Sequence, residues 1–69
     1  MRLSSTIKEG VAISDQNGMT GIYLMVNPTD SWREGYFIVI VAADSNIALC
    51  LNDGTLRFRS SGGEWSPIS

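Results

Sequence analysis

The run Gly35-Tyr36-Phe37-Ile38-Val39-Ile40-Val41-Ala42-Ala43 decides how the rest of the chain is read. Aromatic and β-branched side chains pack well on a pleated surface, and the turn-forming Asp44-Ser45-Asn46 follows, so the run predicts a strand. Successive side chains of a strand point to opposite faces. Tyr36, Ile38, Ile40 and Ala42 therefore line one side, and Phe37, Val39, Val41 and Ala43 the other, with no polar residue on either.

Strand signals continue outward in both directions. Ile47 to Leu51 alternates large and small apolar residues, and Asn52-Asp53-Gly54-Thr55 supplies Asp-Gly, a strong hairpin signal because Gly accepts positive φ without steric cost. With Asp53-Gly54 as a two-residue loop, Leu51 pairs with Leu56, Cys50 with Arg57, Leu49 with Phe58 and Ala48 with Arg59. One face of this hairpin is then wholly apolar. On the other face, small Ala48 and Cys50 leave room for two arginine stems. Upstream, Gly21 to Asn27 alternates Ile22, Leu24 and Val26 against Tyr23 and Met25 and stops at Pro28, which cannot donate to a ladder. Val11 to Ser14 reads as a short partner strand joined through Asp15-Gln16-Asn17-Gly18. Leu3, Ser5 and Ile7 fit one face of an edge strand or one helical turn, and Glu64 to Ile68 fits a last edge strand.

These signals predict one all-β domain over residues 1–69: a small antiparallel meander of five to six short strands, a curled sheet or small barrel, without substantial helix. With 69 residues there is no room for a second domain. A composition 43% hydrophobic and 17% charged is too apolar and too weakly charged for a disordered segment. No apolar run approaches the ~20 residues of a membrane-spanning helix. Met1 to Gly10 has no apolar stretch of the signal-peptide kind, and the expected location is cytoplasmic.

Catalytic and metal chemistry have little to work with. The chain has no His and one Cys, so the usual neutral-pH base, a disulfide and an ordinary zinc site are all missing, and neither enzyme, metal nor cofactor is expected. Cys50 opposite Arg57 and a Glu34/Asp53 carboxylate pair are the two arrangements with any catalytic chemistry. Both read more simply, as a small sheet filler and as turn-capping acids.

Binding is the better supported class. Seventeen per cent charge spread over seven acids and five bases gives a net −2, which announces neither a nucleic-acid grip nor a mimic. Leaving Phe37, Val39 and Val41 in water would forfeit about 1.5–3 kcal/mol each, a large share of the roughly 5–15 kcal/mol that holds a domain. A homo-oligomer, most simply a two-fold dimer, is therefore expected, with Phe37, Val39, Val41, Ala48 and Cys50 at its interface. The contrary reading is a monomer in which Trp65 and the N-terminal segment cover the strand.

A protein partner is expected at the loop Asn27 to Gly35, the longest connection. It carries Trp32, Arg33 and Glu34 at the same end as Asp53, and Trp and Arg dominate binding hot spots; the equal alternative is that Trp32 folds back to plug the end of a small core. The function that follows is a regulator, inhibitor or assembly piece. Two other classes compete with it. Arg57, Arg59 and Trp65 resemble a single-strand nucleic-acid grip, but the expected pairing turns Phe58 inward, away from both arginines. A small-molecule pocket at a subunit boundary would be lined by Tyr23, Tyr36 or Trp65.

Overall fold

A computed structural model of the chain describes residues 7–68. Leu3 and Ser5, two of the three residues named for the expected N-terminal edge strand or helical turn, lie outside that range. The strands are β1 (Lys8–Glu9), β2 (Gly21–Val26), β3 (Tyr36–Ala42), β4 (Ser45–Cys50), β5 (Leu56–Arg59) and β6 (Ser66–Pro67). They form one six-stranded sheet in chain order. β2 to β6 make an antiparallel meander, while β1 runs parallel to β2. The sheet stays open, with two-residue strands at both edges.

Register follows the apolar pattern. β3 is central and pairs Phe37 with Met25 and Cys50, Val39 with Tyr23 and Ala48, and Val41 with Gly21 and Asn46. Met25, Phe37, Val39, Val41, Ala48 and Cys50 are almost fully buried and form the core with Ile13. Ile13 lies in a 3-10 turn, Ile13–Gln16, where a strand is expected. The reason is long-range: the Asp30 carboxylate accepts the amides of Ile13 at 2.6 Å and Ser14 at 3.0 Å, so neither is free for a ladder.

The β4–β5 hairpin departs from expectation in a way that period-two geometry makes harmless. Leu49 pairs with Leu56, Ala48 with Arg57 and Ile47 with Phe58, a slip of two residues that leaves every side chain on its expected side. The loop is four residues, 51–54, closed by the Cys50 amide on the Thr55 carbonyl and the Gly54 amide on the Cys50 carbonyl. Cys50 consequently sits opposite Thr55, and Arg57 opposite Ala48, so the expected Cys50–Arg57 pair does not form.

Gly35, where the loop enters β3, has φ +133°, and an added Cβ would lie 2.3 Å from Asn52 Oδ1. That oxygen accepts the Tyr36 amide at 2.9 Å. Gly35→Ala is expected to displace Asn52, break this bond and strain the backbone, costing about 2 kcal/mol by chemical denaturation. An unchanged denaturation midpoint would show that the loop absorbs the methyl freely.

Candidate functional site

One face of the sheet is closed by the chain itself. Trp32 folds back from its loop against Phe37, with ring centroids 5.1 Å apart and planes at 90°, and meets Trp65 at 5.3 Å. The Arg57 guanidinium lies 4.8 Å from the Trp32 ring centre and that of Arg59 4.5 Å from the Trp65 ring. Small Ala48 and Cys50 make room for these rings beside the arginine stems. Trp32, half-buried, therefore packs against the core. Phe37, Val39, Val41, Ala48 and Cys50, expected to need a second copy to cover them, are buried by the chain's own loops and tryptophans.

A polar network locks this cover in place. Arg59 Nη2 donates to Asp30 Oδ2 at 2.7 Å, and Arg59 Nε to Asn46 Oδ1 at 3.0 Å. Buried Asn46 donates to Asn17 Oδ1 at 2.9 Å, and Trp65 Nε1 donates to the Asp30 carbonyl at 2.7 Å. Burial alone would raise the Asp30 pKa. The Arg59 guanidinium and the amides of Ile13 and Ser14 outweigh it and hold the carboxyl below its usual value. Phe58 lies on the other side from both arginines as expected, but it points outward rather than inward, and Arg57 and Arg59 share the covered face with Trp65. Arg59 has its charge partner there, and the Trp65 ring is engaged on the chain itself.

At the far end of β3 the exposed cluster Arg33, Glu34 and Asp53 is brought together in part. Arg33 Nη1 donates to Asp53 Oδ2 at 2.5 Å, and Asp53 Oδ1 accepts the Thr55 amide at 3.0 Å and hydroxyl at 2.7 Å. The Thr55 amide, followed by its hydroxyl, holds the Asp53 carboxyl far below the usual range. An acid so firmly ionised is a turn cap rather than a proton donor paired with Glu34.

The opposite face is open and apolar from one side to the other. Two cross-strand rows run over it: Leu24, Ile38, Leu49 and Leu56, then Ile22, Ile40, Ile47 and Phe58. All eight positions are apolar. Phe58 is 44% exposed, and Ile38, Ile40, Ile47 and Leu56 are 37–38% exposed. Tyr36, at 52%, stands at one end of β3, and Ala42 with Ser45 occupies the other. There a groove of about 370 Å³ is walled by Ile40, Ala42, Ile47, Phe58 and Ile68, with Ser45, Asn46, Arg59 and Ser60 at its polar edge. The chain matches no protein-family profile, no curated protein and no solved structure.

Most soluble proteins avoid contiguous apolar patches larger than a few hundred Å², and larger ones usually mark interaction sites. Sequence reading identified Tyr36, Ile38, Ile40 and Ala42 as one apolar side of β3 but placed the uncovered surface on the other. Residue size was the available signal. Ala48 and Cys50 mark the side with space for a cover, whereas Ile47 and Leu49 fill theirs. Tyr36 lies on this outer face and Tyr23 and Trp65 on the covered one, so the three do not line a common pocket within the chain.

Proposed function

We propose that this chain is a non-enzymatic binding protein that works by docking the outer face of its sheet on another polypeptide. The observation that carries this reading is the pair of four-strand rows without a polar member. Exposed side chains of this size and number leave a contiguous apolar surface in water, and covering it is favourable by about 25 cal/mol per Å², before the costs of association. The exposed Arg33, Glu34 and Asp53 provide a polar rim at one end of that face. A regulator, inhibitor or assembly piece acts by occupying surface in this way, and a lone, buried free thiol suits the reducing cytoplasm.

Photo-crosslinking in native cells tests the reading. Benzophenone amino acids placed at Ile38 or Ile47 are expected to give polypeptide adducts, and the same probe at Asp15, beside the covered face, is not. Adducts at Asp15 alone, or none at all, would remove the outer face as the working surface.

A further inference from the structure

We infer that the polypeptide covering the outer face is a second copy of this chain, related by a two-fold axis that runs across the strands, so that Tyr36 of each copy enters the groove of the other. The inference rests on the docking reading above and specifies its partner. Area is the first support. The exposed parts of Tyr36, Ile38, Ile40, Ile47, Leu56 and Phe58 from two copies together offer surface comparable to the ~1,200 Å² at which stable specific interfaces begin. Charge is the second. Among the described residues no charged side chain other than that of Arg59 lies in the two rows or lines the groove, and the Arg59 guanidinium, at the edge of the groove, is neutralised by Asp30, so two outer faces meet without unpaired like charges between them.

Shape selects the axis. A two-fold contact is isologous: if one residue touches another, the reverse contact exists as well. Two faces packed about 10 Å apart can be related by an axis along the strands or across them. An axis along β3 sets Tyr36 against Tyr36 at one end and both grooves at the other, which crowds the first and leaves the second unfilled. An axis across the strands lays β3 antiparallel over β3 of the other copy. Ile38 then faces Ile40, and Tyr36, the most exposed large side chain of the face, faces Ala42 in the wall of the groove. Large meets small at both ends.

Light scattering after gel filtration at low micromolar concentration is expected to give twice the mass of one chain. Ile40→Glu should return it to a single chain with an unchanged far-ultraviolet spectrum, since Ile40 contributes nothing to the buried core. Should that variant unfold, cysteine linkage still decides. Tyr36→Cys combined with Ala42→Cys should form a covalent dimer under mild oxidation, while either alone should not; buried Cys50 stays silent. Linkage by Tyr36→Cys alone, or an unlinked double variant, overturns the axis. Single-chain mass of the unmodified protein at 100 μM overturns the second copy. In that case crosslinks from Ile38 or Ile47 to another polypeptide leave the docking reading standing, and their absence removes both.

Discussion

Replacing Asp30 with alanine is expected to destabilise the fold by about 3–4 kcal/mol, because it strands a mostly buried arginine without its partner. The Arg59 side chain is 13% exposed, and its ion pair with Asp30 spans 29 positions of sequence. The substitution also frees the amides of Ile13 and Ser14 and so loosens the 3-10 turn that carries a fully buried core residue. For a domain of this size the melting temperature should drop by on the order of 15–25 °C. Asp30→Asn retains an acceptor for the amides and should lose about half as much. Acid should mimic the loss. Since the folded-state pKa lies below the unfolded value, the stabilising contribution is present above about pH 4 and disappears as pH falls through the folded value. The stability gap between the unmodified protein and Asp30→Asn, measured by urea unfolding, should therefore narrow from pH 7 to pH 3. A constant gap would mean that the carboxylate charge contributes nothing.

That network also marks the limit of what the sequence discloses. Periodicity places β2, β3, β4 and β5 because each carries a period-two pattern of its own, and even a hairpin loop misjudged by two residues keeps the faces of Ala48, Arg57 and Phe58 correct relative to one another. Which face points inward is another matter. Both sides of β3 are apolar, so the choice falls to segments that carry no regular pattern: Ile13 in a turn, Trp32 in a loop and Trp65 beyond a Gly-Gly bend. Val11 to Ser14 looks like a strand locally, and the acceptor that takes its amides is 16 and 17 residues away. The parallel edge strand at Lys8–Glu9 is set by its neighbour, two residues being too few to declare a direction.

Trp32→Ala should separate packing from binding in the loop that the sequence nominates as a partner surface. A hot-spot tryptophan on a solvent-facing loop can be truncated with the fold intact. Here the ring joins Phe37 to Trp65 and carries the Arg57 guanidinium, so truncation opens a cavity at the end of the core and leaves that arginine without its platform. The expected cost is about 3–5 kcal/mol, the range for large aromatic deletions in cores. Trp32→Phe should cost clearly less: the smaller ring retains much of the stack, and the indole N–H it removes is buried without an acceptor. Arg33→Ala next to it removes a solvent-screened pair with Asp53 and an exposed hydrogen bond from Nε to the Glu34 carbonyl, and should leave the unfolding midpoint nearly where it is. Urea titrations of the three variants followed by tryptophan fluorescence and circular dichroism read all of these outcomes. Full stability in Trp32→Ala would return the ring to the surface and reopen the loop as a contact site. Collapse of that variant beside an unaffected Arg33→Ala assigns the indole to the interior, and the search for a docking surface then belongs on the other side of the sheet.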